Sequence, residues 1–334
     1  MHLHSIRVVM GRSTSFQLRF SAGALLVALA LVSCKPPTKD ETKVRIGYLP
    51  YTSGLSFFAA KEKGYFDEHG FSVEAIKCAS ANEALDALRA GQLDFVVGVG
   101  LTTFFAVEGA SPGSFKCFQP CVEDASHIVS YLLVPKSSGL TELAQLKGKR
   151  IGTYSGTSQV LVLKLLALKL GLDPADSLSV RLGEVASNLQ IDALAAGQFD
   201  AFLMLEPYAT KAMLLHGARP LIENPRVKYI LDPFPAGANA VATKFLTAHP
   251  DLTAKVVEIL DRAISAIHGD EATAKKVLPK YDETLTPELA AKSGIYRWWA
   301  KSETKVEAVQ EYADLLFEGK ALKSKVNVDA MFLK

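Results

Sequence analysis

The sequence predicts an α/β protein of two similar lobes, each a mostly parallel sheet flanked by helices, with a C-terminal helical cap. Three observations predict it. Residues 82–94 and 188–200 are identical at eight of thirteen positions: Asn82, Asp86, Ala87, Leu88, Ala90, Gly91, Gln92 and Asp94 all recur 106 residues later. Upstream, Arg45-Ile46-Gly47 recurs as Arg150-Ile151-Gly152, at an offset of 105. A period that long exceeds the 20–50 residues of a solenoid repeat and points to duplicated lobes. The third observation is length: about 300 residues beyond the leader bury more core than one domain ordinarily holds.

Each lobe reads as βαβαβ. In the first, 44–49 is a strand and 54–63 a helix closed by Gly64. Residues 71–76 form the second strand, and 82–90 a helix with Gly91 just past its end. Residues 94–99 form a fully apolar third strand, as expected where helices cover both faces. In the second lobe, strands fall at 150–153, 178–182 and 200–204, and helices at 158–170 and 188–196. The apolar stretch 130–134 is a crossover, and the Pro-, Gly- and Ala-rich 233–243 the return. Amphipathic helices alone follow, at 250–267, 270–278, 286–299 and 302–317, packing on the first lobe. Lobe 1 is thus 44–130 plus 240–334 and lobe 2 is 136–234, with hinges at about 131–135 and 233–243.

The first 33 residues are a targeting segment. Arg7, Arg12 and Arg19 stand there without an acidic residue, and an apolar run follows over 20–32. That run is shorter than the ~20 residues a spanning helix needs. Leu31-Val32-Ser33-Cys34 resembles a bacterial lipobox, which implies lipidation of Cys34. Each buried CH₂ of an acyl chain contributes about 0.8 kcal/mol, so several chains anchor firmly. Residues 34–43 are then a solvated tether.

The chain has 37 basic and 35 acidic residues, and without the three leader arginines the balance is 34 to 35. A near-neutral chain without a basic stripe is no nucleic-acid binder. An oxidising compartment permits one disulfide among Cys78, Cys117 and Cys121. Cys117 and Cys121 with His127 lack a second close pair of ligands, so no metal and no cofactor is expected.

Several short motifs carry a family resemblance. Ile46-Gly47-Tyr48-Leu49-Pro50, the run from Ala60 to Phe66, and Ala90-Gly91-Gln92-Leu93-Asp94 lie in the first half. In the second lie the run from Leu146 to Gly152, Gly156-Thr157-Ser158, Ala195-Ala196-Gly197-Gln198-Phe199-Asp200 and Glu206-Pro207-Tyr208. In this order and spacing they resemble the nitrate/sulfonate/taurine-type solute-binding proteins, a family that includes binders of thiamine-precursor pyrimidines and riboflavin. The resemblance implies a type II periplasmic-binding-protein fold. It also implies an extracytoplasmic, monomeric lipoprotein that hands a small solute to the permease and ATPase of an ABC importer.

Ligands of open α/β sheets sit beyond the carboxyl ends of the strands. The candidate ligand residues are therefore Pro50, Tyr51, Thr52, Ser53, Ser80 and Asn82 in the first lobe. In the second they are Tyr154, Ser155, Gly156, Thr157, Ser158, Asn188, Glu206 and Tyr208. Residues 155–158 place hydroxyls and backbone N–H groups at a helix start, where Ser158 can also be the cap. Asn82 and Asn188 stand at equivalent helix starts, where capping explains both. Tyr48, Tyr51, Tyr154 and Tyr208 can stack on a planar solute, whereas Phe57 and Phe58 belong to the core. A Glu206 carboxylate inside the cleft would disfavour a doubly anionic solute and suit one with N–H donors.

Two other classes share these features: an enzyme on the same scaffold, and a sensory lipoprotein presenting solute to a receptor. Gly109-Ala110-Ser111-Pro112-Gly113 matches G-x-S-x-G by letter. It follows a helix and precedes a strand, the reverse of what an exposed nucleophile needs.

Overall fold

The computed structural model describes residues 43–334. Cys34, the leader and the tether lie outside the described residues. Two mixed sheets form the frame. The first has the order β11-β4-β10-β3-β1-β2 and the second β7-β6-β8-β5-β9. In chain order these are β1 (Lys43–Tyr48), β2 (Ser72–Lys77), β3 (Phe95–Gly100), β4 (Phe115–Glu123), β5 (Ser130–Val134) and β6 (Arg150–Tyr154). Then follow β7 (Arg181–Val185), β8 (Ala201–Leu205), β9 (Arg219–Glu223), β10 (Phe234–Ala242) and β11 (Arg297–Trp298).

The repeat becomes a shared topology. In the first sheet β1 lies between β2 and β3, all parallel, and β10 runs antiparallel between β3 and β4. In the second, β6 lies between β7 and β8, all parallel, and β5 runs antiparallel between β8 and β9. Each sheet thus holds an inner antiparallel strand laid down next to a chain crossing. At that crossing Glu123 and Phe234 face each other across the β4–β10 ladder.

The recurring Asp closes the same turn twice. Asp94 accepts from the Arg45 N–H at 2.8 Å and Asp200 from the Arg150 N–H at 2.7 Å. In return, Asp94 N–H donates to Arg45 C=O and Asp200 N–H to Arg150 C=O. The sequence repeat therefore marks a structural clasp between the first and third strand of each unit.

Several expectations need correction. The segment read as a strand at 178–182 strands only from Arg181, and Leu178 is 79% exposed. The helix expected over 286–299 ends at Lys292, and Arg297–Trp298 pairs with the edge of β4, so the C-terminal region is not all helix. Its remaining helices are Pro250–Gly269, Glu271–Lys275, Val306–Glu318 and Val328–Met331. Residues 131–135 and 233–243, read as hinges, fall largely on the interior strands β5 and β10. The chain passes between sheets at 124–129 and 224–233 instead.

Core and connector readings hold. Phe57 and Phe58 are 0% and 1% exposed. Residues 109–113 do join a helix, Leu101–Ala110, to strand β4. Cys78, Cys117 and Cys121 are buried free thiols. Among the described residues no helix is long and apolar enough to cross a membrane, and no cluster has the makings of a metal site.

Candidate functional site: a cavity between the two sheets

The carboxyl ends of β1, β2, β3, β6, β7 and β8 converge on one cavity of about 50 Å³. From the first sheet come Tyr51 and Ser53 after β1, Ser80 after β2, and Gly98 and Gly100 of β3. From the second come Tyr154, Ser155, Gly156, Ser158 and Gln159 around the end of β6, Ser187 after β7 and Leu205 of β8. Ala236 and Gly237 of β10, Cys121 of β4, Arg226 and Tyr296 complete it.

Two glycines shape the wall. Gly98 has φ +63°, and a Cβ there would sit 2.2 Å from the Ser53 carbonyl oxygen. Ser53 Oγ in turn donates to the Gly98 carbonyl at 2.8 Å, fixing the turn after β1. Gly156 has φ +140°, a conformation open mainly to glycine, and it leads into the helix Thr157–Lys169.

That helix has no side-chain cap. Ser158 does not cap it; Ser158 Oγ accepts from Thr102 Oγ1 on the other side of the cavity. Tyr51 stacks on Tyr154 with centroids 5.2 Å apart and tilts against Tyr208 at 5.4 Å. Outside the lining, Lys211 reaches Asp282 at 3.6 Å and donates to Thr284. Three sets of contacts thus join elements of both sheets around the cavity.

Of the fourteen candidate ligand residues, the structure places Tyr51, Ser53, Ser80, Tyr154, Ser155, Gly156 and Ser158 on the cavity wall. Tyr208 packs behind Tyr51. Asn82 and Thr157 line a separate outer groove with Ser80, Ser155 and Gly156. Thr52 is buried beneath the wall, and Pro50 is not among the lining residues. Neither asparagine is a cap. Ser80 caps the helix Ala81–Arg89 by accepting from Glu83 N–H, and Asn82 stands exposed in its first turn. Asn188 is exposed in a short 3₁₀ turn, and the helix after it begins at Gln190.

Glu206 departs furthest from expectation. It is 1% exposed and accepts from Thr210 Oγ1 at 2.8 Å and Thr210 N–H at 3.2 Å, with the Gly294 N–H against it. It does not line the cavity. Burial pushes its carboxyl up to about 7, despite the Thr210 hydrogen bonds.

The charge at the cavity comes instead from Arg226, which is 1% exposed. Its Nε donates to Glu123 Oε2 at 2.7 Å and its Nη2 to Tyr296 Oη at 3.2 Å. Glu123 also accepts from Val129 N–H, Ser130 N–H and Ser130 Oγ, which occupies both its oxygens. Burial opposes the charge on Arg226, but Glu123 and Tyr296 more than offset this and hold the guanidinium protonated. Sequence reasoning missed Arg226, Gln159, Ser187 and Tyr296. Gln159 and Ser187 had a signal, adjoining the Gly156-Thr157-Ser158 helix start and Asn188 in turn. Tyr296 was hidden in the stretch read as helix.

With this geometry in place, three comparisons bear on the chain. The model of the NMT1-like family matches residues 37–279. A Bacillus subtilis protein named for aliphatic sulfonate binding is 27% identical over 321 residues, 89% of this chain and 88% of that protein. The solved alkanesulfonate-binding protein SsuA of Xanthomonas axonopodis pv. citri, bound to MOPS, superposes with a TM-score of 0.71 at 22% identity, covering 87% of this chain and 98% of that one. The periplasmic nitrate-binding protein NrtA of Synechocystis gives 0.66 at 13% identity, over 86% and 84%. A pyrimidine phosphate synthase of Schizosaccharomyces pombe matches only 39% of this chain, at 26% identity. The structural likenesses establish the two-lobed periplasmic-binding-protein fold, and the match over residues 37–279 shows that the chain belongs to the NMT1-like family.

Proposed function

We propose that this chain is the extracytoplasmic solute-binding component of an ABC importer, a lipoprotein anchored through Cys34 that works as a monomer. The observation that carries the reading is the cavity at the carboxyl ends of both parallel strand sets, bridged by side chains from both. Solute touching both walls favours the closed arrangement by its differential affinity, and the permease would recognise that closed shape. The relative named for aliphatic sulfonates, matched along most of both chains, supports an organic sulfonate as the solute class.

In this reading lobe 1 comprises 43–123 and 234–334, lobe 2 comprises 130–223, and the crossings 124–129 and 224–233 act as hinges. Binding rather than turnover suits the wall chemistry. Several serines line the cavity, but the residues lining it include no histidine and no carboxylate to act as a base. Burial pushes the Cys121 thiol up to about 12, so it stays protonated.

The test is a thermal-shift screen of the exported protein with sulfonates, nitrate, pyrimidines and flavins. One class should raise the midpoint, by about 2.7 kcal/mol of stabilisation at a hundredfold excess over Kd. No response to any class, with no solute retained through purification by mass spectrometry, rejects the reading. Chemical conversion of a bound solute favours the enzyme alternative.

A further inference from the structure

The cavity wall carries one cation, Arg226, and no carboxylate. Glu123, which neutralises that cation, holds it only at Nε and Oε2 and is itself saturated by the chain around Val129 and Ser130. Arg226 Nη2 touches Tyr296, and among the described residues Nη1 makes no hydrogen bond. Arg226 lines the cavity, and Nη1 is not fully buried, which leaves it the guanidinium nitrogen free for a ligand. Tyr296 accepts from Arg226 and keeps its own O–H to donate. Two further wall groups are buried without partners, Gln159 Oε1 and Tyr51 Oη, on residues 6% and 7% exposed.

A wall with a surplus of donors, one fixed guanidinium and no ionised acceptor is a receptor for a single negative charge. To an ammonium group it offers neutral acceptors alone, Gln159 Oε1 among them, and no carboxylate among the lining residues to neutralise it.

We propose that Arg226 selects the solute and that the solute is an organic monoanion without an ammonium group. Its head group sits against Nη1 of Arg226 and the Tyr296 hydroxyl, and its apolar part lies beside the stacked Tyr51–Tyr154 pair. Glu123 is a positioning residue that fixes the guanidinium from behind. This rests on the solute-binding reading above, and it narrows the class: simple alkanesulfonates fit, whereas a zwitterionic aminosulfonate such as taurine does not.

Calorimetric titration of the exported chain with 1-butanesulfonate, taurine and a neutral aminopyrimidine tests this. Butanesulfonate should bind, and taurine should bind at least about tenfold more weakly. Arg226→Gln should lose about a hundredfold in butanesulfonate affinity, with Arg226→Lys recovering part of it. Because R226Q strands the Glu123 carboxylate, the double variant E123Q/R226Q, which removes both charges, serves as a second probe of the same loss. Folded variants that keep affinity within about threefold overturn Arg226 as the anchor while leaving solute binding intact. Taurine or the aminopyrimidine binding as tightly as butanesulfonate overturns the monoanion class. If neither variant folds, the wild-type ranking decides. Absence of binding to all three, and to any solute in the wider screen, rejects the solute-binding reading itself.

Discussion

A carboxyl group that is almost wholly enclosed and held mainly by one threonine is costly to ionise. Glu206 is in that position, and its carboxyl is pushed up to about 7 by burial. Between the ordinary glutamate range and pH 7 the folded chain keeps a proton that the unfolded chain has released. Stability therefore falls as pH rises through this window, by at most on the order of 3 kcal/mol. Glu206→Gln, which cannot ionise, should lack this slope. Its melting temperature should rise relative to the wild type between pH 5 and pH 8, and parallel curves would contradict the argument. Glu206 was legible as a motif residue beyond β8, but the direction of its side chain was not. That direction depends on Thr210 one helical turn later and on Gly294, a residue 88 positions along the chain. Arg226 had no local signal at all. Its partners Glu123 and Tyr296 lie 103 and 70 residues away, and only the fold brings them together.

At the level of strands and helices, the duplicated Asp clasp permits a comparison within one molecule. Asp94 has 6% of its side chain exposed and also binds the Arg45 guanidinium at 2.6 Å. Asp200 has 32% exposed and approaches Arg150 Nε only at 3.7 Å. Asp94→Ala strands a partly buried backbone N–H and a partly buried guanidinium, at a cost of about 2 kcal/mol. Asp200→Ala should cost about 1 kcal/mol, since water replaces most of what is lost. Urea midpoints of the two variants should differ in that order, and equal shifts would show that burial does not set the difference. The parallel strands were legible because helices cover both faces and leave continuous apolar runs such as β3. Edge strand β7 was displaced because its residues are half-exposed and mixed, so the apolar Leu178 drew the reading upstream. The antiparallel strands β4, β9 and β11 carry no local mark. Their pairing is set by partners far off in sequence, as when Arg297 meets Val122.

For the whole molecule, the two-unit architecture was readable since duplication wrote the same pattern twice. The crossings were not, because irregular connecting backbone has no period to detect. The proposed anchor also belongs to this scale. Replacing Cys34 by Ser should move the protein from the membrane fraction to the soluble one on fractionation, while leaving solute binding by the described residues unchanged. Continued membrane association would rule out lipid attachment at Cys34. The β4–β10 ladder has a mechanical consequence. Because Glu123 faces Phe234, residues 124–233 form a flap grafted onto the tip of a hairpin, joined to its base by a double strap. That ladder lies inside the six-stranded sheet, so on the proposed reading bending falls to the irregular backbone just beyond its last rung. In the solute-binding role proposed above, Arg226, tied to Glu123 beside the last rung, would then move least on opening. A solute held as proposed would surrender its charge last.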